Sequence, residues 1–248
     1  MNTSVRRDQD THWDGFFNLS GIAASLMLIY SLVTMIFLIV IGGTPETAQE
    51  GFALLAESRL LGLLRLDILT IMAMPLYYVL FLALYRALQS IDGAKSLLAL
   101  VLGLAGVTLI LASPSVFSFL ALSDRFAAAT DETQRTLLLA GGEAMLAADM
   151  WHSSGGVIGG LLLQTGALLI SFIMLRATTF AKATAWVGIV THGLDLLHIL
   201  AGFFLPAAGT ALLMIGGPLY LIWFPLLARD FWRIASTGYG SDAVRAVR

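Results

Sequence analysis

Six stretches of this chain are each long and apolar enough to cross a lipid bilayer, and no other feature constrains the fold as strongly. Crossing a hydrocarbon core of about 30 Å takes about 20 mostly apolar residues as a helix. The stretches run roughly from Phe17 to Ile41, Leu60 to Tyr85, Leu97 to Leu122, Val157 to Leu175, Thr184 to Leu205 and Thr210 to Leu227. They are continuous rather than alternating, which points to helices and away from the strands of a membrane barrel. Composition agrees. Of 248 residues, 58% are hydrophobic and only 12% charged, against about 45–50% apolar and about 25% charged in soluble domains. That leaves too little polar surface to coat a water-soluble globule. Disorder is excluded by the same balance. A net charge of −2, from 14 Lys plus Arg and 16 Asp plus Glu, gives no basic face for nucleic acid. With no cysteine, disulfides, thiolate metal sites and Cys nucleophiles drop out. The expected fold is all-α, a polytopic transmembrane bundle of six spans in the lipid bilayer.

The expected organisation is a cytoplasmic segment over residues 1–15, the six-helix domain over 16–233, and a flexible cytoplasmic tail over 234–248. The first span is longer than the about 7–15 apolar residues of a signal-peptide core, and no small-residue cleavage site follows cleanly, so it reads as a retained anchor. Placing both termini in the cytoplasm puts ten Lys or Arg inside and leaves Arg59, Arg65, Arg125 and Arg135 outside, the direction of the positive-inside rule. Both longer outer connections carry helix-start signals. Thr44-Pro45-Glu46 and Thr130-Asp131-Glu132 each set a capping residue before an acid in the first turn. Short interfacial helices are expected there.

Ionisable side chains within spans are costly and as a rule face a bundle interior or a cavity. The second span carries Arg65 and Asp67, two apart and therefore on different faces, each needing its own partner. His152 sits at the outer end of the fourth, on a stripe with Gly155 and Gly159 that permits close helix approach, and is expected to point at a neighbouring helix. On the fifth, Gly188, Thr191, Asp195, His198 and Gly202 follow helical spacing along one face, with His192 beside it. Arg65, Asp67, His152, Thr191, His192, Asp195 and His198 are the ligand-pocket candidates, expected to converge on a pocket opening away from the cytoplasm. Asp195 is expected within reach of Arg65, His152, His192 or His198. The structural alternative is polar glue between helices, worth only about 1–2 kcal/mol per contact. As a metal site, His152, His192, Asp195 and His198 have suitable ligand types but no tight spacing, and two well-spaced histidine pairs for a haem are missing. No cofactor is expected. Pro75, Pro114 and Gly216-Gly217-Pro218 lie within spans, where kinks free carbonyls. Tyr77, Tyr78, Tyr220 and Trp223 near them read as packing or as an aromatic cavity wall.

Leu82-Ala83-Leu84-Tyr85-Arg86-Ala87-Leu88 closes the second span, Gln89-Ser90-Ile91-Asp92 follows, Leu104-Ala105-Gly106-Val107 lies in the third, and His152-Ser153-Ser154-Gly155 enters the fourth. This pattern resembles the domain of unknown function 4386 family of bacterial membrane proteins, from about Phe16 to Arg233. The chain departs from it at Phe180-Ala181-Lys182, where the family has Pro-Arg, and at His192 to His198, where the family is more apolar. The resemblance implies a six-helix inner-membrane protein and no known activity, catalytic residue or cofactor. The function expected from the residues is binding or transport of a small or lipid-like ligand in an outward-facing polar-lined cavity. The alternatives are an intramembrane metal-dependent hydrolase using His and Asp, and an accessory membrane subunit packing on a partner or on its own copies.

Overall fold

The computed structural model of the chain describes residues 3–113 and 116–237. Among them there is no strand, and every regular element is a helix: α1 Thr3–Val40, α2 Ala48–Glu57, α3 Arg59–Arg65, α4 Ile68–Ala73, α5 Leu76–Leu88, α6 Gly93–Ala112, α7 Val116–Ala128, α8 Glu132–Ala147, α9 Ser154–Met174, α10 Lys182–Gly202 and α11 Pro206–Thr237. Six apolar segments are long enough to span a bilayer. They are α1 from Trp13, α4 with α5, the segment opened by α6, α9, α10 and α11. Each packs on the next, α1 on α5, α5 on α6, α6 on α9, α9 on α10 and α10 on α11, and α11 returns to α1. The spans therefore close into a ring in chain order. Phe81, Leu84, Leu88, Ile170, Met174, Trp223, Phe224 and Phe231 fill the interior. On α1, Ile22, Leu26, Ile29 and Ile36 stay exposed at spacings that line one helix face, the face that meets lipid.

Glycine sets how closely α6 and α9 approach. A Cβ on Gly106 would stand 2.5 Å from the Leu163 backbone nitrogen, and one on Gly159 would stand 2.7 Å from the Gly106 carbonyl oxygen. Two backbones in contact give dispersion energy that larger residues would prevent.

At one end of the ring, here the cap end, α2, α3, α7 and α8 form a separate layer around Phe52, Leu55, Leu66, Val116 and Phe119. Asp131 starts α8 by accepting from the backbone N–H groups of Thr133 and Gln134, as its capping signal implied. α2 starts three residues later than Thr44-Pro45-Glu46 indicated. Its cap is Thr47, which accepts from the Glu50 N–H, while Glu50 accepts from the Glu46 N–H.

The expected second span, Leu60 to Tyr85, is divided. α3 ends at Arg65, Asp67 adopts a left-handed conformation (φ 64°), and the span begins at Ile68. Pro75 stands between α4 and α5, where its missing N–H costs no helix bond. Pro114 lies outside the described residues, and Pro218 sits inside a continuous α11. α1 already begins at Thr3, so most of the expected N-terminal segment is helical; α11 runs to Thr237, a short way into the expected tail, and residues from 238 onward lie outside the described residues.

Candidate functional site

The end of the ring away from the cap shows how this chain handles a buried acid for structure. Asp230 on α11 is fully buried. Its Oδ2 accepts from the Thr184 hydroxyl at 2.6 Å and the Ala181 N–H at 3.0 Å, capping α10, whose own cap residue is an alanine. Arg229 and Arg233 reach its Oδ1 at 3.2 and 3.3 Å. Both oxygens are occupied and the charge is matched.

Asp195 is handled differently. It lies on α10 and is 8% exposed. Both of its hydrogen bonds fall on Oδ2: the Tyr220 hydroxyl from α11 donates at 2.7 Å and the Gln164 amide from α9 at 3.1 Å. Gln164 Oε1 in turn lies 2.7 Å from His192 Nδ1. Because the Gln164 NH2 group is committed to Asp195, its oxygen must accept, so His192 carries its proton on Nδ1. The result is one polar centre joining three spans, His192–Gln164–Asp195–Tyr220. At 1.5 Å per residue, Gln164 lies about 15 Å along α9 from its cap-end start at Ser154, well inside the bundle.

Three atoms of this centre and its wall have no partner among the described residues: Asp195 Oδ1, His192 Nε2 and Trp223 Nε1. His192 is 1% exposed and Trp223 2%, and their rings meet edge to face at 4.5 Å. A buried donor or acceptor left unpaired costs about 1–3 kcal/mol, so three together call for a reason. Glycines let the neighbouring side chains close on these atoms. A Cβ on Gly188 would be 2.7 Å from Trp223 Nε1, and one on Gly216 would be 3.2 Å from Asp195 Oδ1.

The sequence candidates fall into separate places. Thr191 is fully buried and donates to the Val187 carbonyl. His198 is half-buried and bonds the Gly209 carbonyl through Nδ1 at 2.9 Å, tying α10 to the start of α11. Arg65 is not the counter-ion of Asp195. It pairs with Glu50 at 2.9 Å and donates to the Gly43 carbonyl at 2.8 Å, within the cap. The break before Ile68 removes it from the span. His152 does not point at a neighbouring helix; its side chain is 72% exposed and bonds Asp149 three residues back. The bonds of Asp195 thus go to neutral groups instead of the basic ones expected. Among the described residues no three His, Asp or Glu side chains form a metal-holding group. Of the four weak metal candidates, His192 and Asp195 share the polar centre, His198 bonds the Gly209 carbonyl and His152 lies exposed at the cap end of the ring.

Asp67 belongs to a cap-end cavity that Asp149, Trp151, Leu66, Phe119 and Met150 also line. The Trp151 indole donates to its Oδ2 at 2.9 Å. Thr70, hydrogen-bonded to Tyr30 of α1, lies 3.4 Å from Oδ1. Burial pushes the Asp67 carboxyl above the usual carboxylate range, and the Asp149 charge pushes the same way. Gln164 was not among the sequence candidates, and Tyr220 entered only as an aromatic near a kink, not as a partner of Asp195. The available signal was a lone amide in the Leu-rich middle of α9, and a tyrosine two residues after the Pro218 of α11.

Comparisons with protein-family models, with curated proteins and with solved structures find no match. The chain is a multi-span, all-α membrane protein.

Proposed function

We propose that this protein binds, and moves within or across the membrane, a small polar or lipid-like ligand at the polar centre between α9, α10 and α11. One observation carries the reading. Asp195 is an acid in a membrane span with neutral donors on one oxygen, none on the other, and no cation among its hydrogen-bond partners. Intramembrane ionisable groups are expensive and functional by default, and the fully matched Asp230 shows that this chain can neutralise a structural acid. The centre differs from the single outward pocket expected at first, because the cap-end cavity and the Asp195 centre have separate linings. The cap end faces outward and both termini are cytoplasmic in this proposal, on the ten-to-four charge count, and the membrane is the inner membrane. The proposed likeness to the domain of unknown function 4386 family rests on the motifs of the second, third and fourth spans alone.

Neither alternative gains an observation. A metal-dependent hydrolase would need at least three ligands brought together, and no three of the described His, Asp or Glu side chains form such a group. An accessory subunit using glycine faces would need Gly155 and Gly159 free, and both are packed on α6.

The test is thermal unfolding of the chain in lipid nanodiscs against a panel of amines, small hydroxylated solutes and lipids. A ligand at 100 times its Kd stabilises by about 2.7 kcal/mol. The expected result is a compound class that stabilises the wild type but not Asp195→Asn, with the variant still unfolding cooperatively. Equal stabilisation of both would contradict the proposal.

A further inference from the structure

Resting on that reading of the site, we propose that the polar centre also takes a proton, held on Asp195 Oδ1 and exchanged with His192 Nε2, so that the proton is the ion to which ligand handling is coupled. The hydrogen bonds have the asymmetry of a carboxylic acid. Tyr220 and Gln164 both donate to Oδ2, the oxygen that would be the acid's carbonyl, and nothing donates to Oδ1. A carboxylate would leave a bare, charged oxygen inside the bundle, whereas Asp230 occupies both of its oxygens and draws two arginines.

The complementary group lies three residues away on the same helix face. With Nδ1–H given to Gln164, His192 Nε2 is a buried lone pair with no donor. The centre therefore holds a donor lacking an acceptor and an acceptor lacking a donor, already linked through Gln164. In the exchange the Oδ1–H bond of Asp195 breaks and an N–H bond forms at His192 Nε2. The O–H electron pair stays on the carboxylate, and a water molecule carries the proton across the gap. The products are a carboxylate and an imidazolium, so the pair stays neutral overall. The imidazolium keeps its Nδ1–H on Gln164, and the carboxylate keeps Tyr220 and Gln164.

The titratable or charged groups facing the pair are few. α11 offers Tyr220; α5 offers Tyr77 and α10 offers His198, both within electrostatic range of Asp195. Gln164 is neutral, and no arginine or lysine is bonded to the pair among the described residues.

The test is infrared spectroscopy of the reconstituted full chain as pH is varied. A carboxylic-acid carbonyl band present in the wild type and lost in Asp195→Asn is expected; spectra that show no such difference at any pH would overturn the proposal. In His192→Gln the band should persist while its hydrogen–deuterium exchange slows. Exchange as fast as in the wild type would remove His192 from the role. Nitrogen NMR of the histidine side chains in the unmodified protein checks the same point without a variant: while Asp195 holds the proton, a neutral His192 protonated on Nδ1 is expected, and a neutral His192 protonated on Nε2 in place of Nδ1 would overturn it. An acid band in a protein whose ligand binds Asp195→Asn unchanged would sink the ligand reading and leave the proton site standing.

Discussion

At the scale of single residues, two acids at the cap end respond to pH in opposite directions. Burial and the Asp149 charge raise the Asp67 carboxyl above its ordinary value. The folded state therefore holds that proton more tightly than the unfolded chain, and the stability it contributes at low pH is lost as pH rises through the folded value. Asp67→Asn should raise the melting temperature at neutral pH, with the gain vanishing below the ordinary carboxylate range. Asparagine tolerates the left-handed backbone and can still accept from Trp151. Glu50 is held low, first by the Glu46 N–H and then by Arg65, so its contribution is present at neutral pH and lost as pH falls. Glu50→Gln should flatten the acid side of the stability profile. Melting curves across pH would check both, and a uniform loss of stability at all pH values in Asp67→Asn would contradict the first.

At the scale of helices, backbone approach and caps dominate. Gly106→Ala sets a methyl against the Leu163 backbone and should cost about 1–3 kcal/mol by overpacking. Gly193→Ala, where nothing lies within 4 Å, should be neutral or stabilise by up to about 1 kcal/mol. Asp131→Ala should cost about 1 kcal/mol through the cap of α8. Denaturant titrations in a mixed micelle would rank the three. The six spans were legible because length and apolarity are local properties of the chain. The break at Asp67 was hidden, since leucines on both sides of Arg65 keep the hydropathy high and only the backbone turn reveals it. The α2 start was displaced because Thr47 and Glu50 repeat the capping pattern that Thr44 to Glu46 also offers. His192 and Asp195 stood out as ionisable groups in a span. Gln164 did not, because it is neutral, and Tyr220 stood out only as an aromatic near Pro218; the rotation of α9 and α11 that turns both toward α10 depends on packing that no single segment encodes.

At the scale of the whole molecule, the ring of spans closes on itself by the contact of α11 with α1, and polar groups tie it at several levels. Asp230 joins α11 to the start of α10 at one end, Tyr30 and Thr70 join α1 to α4 near the cap, and the Asp195 centre joins α9, α10 and α11 between them. In the proposed topology the six spans leave both termini on the cytoplasmic side. Reporter fusions after Gly43 and at Arg248 should report opposite compartments, with Arg248 cytoplasmic; the reverse assignment would turn the cap end inward. The central claim is that Asp195 is held by neutral groups of neighbouring helices. A double-mutant cycle of Asp195→Ala with Tyr220→Phe, read by unfolding free energy in nanodiscs, tests it most directly. The expected coupling is about 0.6–1.7 kcal/mol, the scale that double-mutant cycles give for polar contacts between membrane helices. Additivity of the two substitutions to within about 0.3–0.5 kcal/mol would mean that the hydrogen bond between them does not hold the centre together, and would contradict the account.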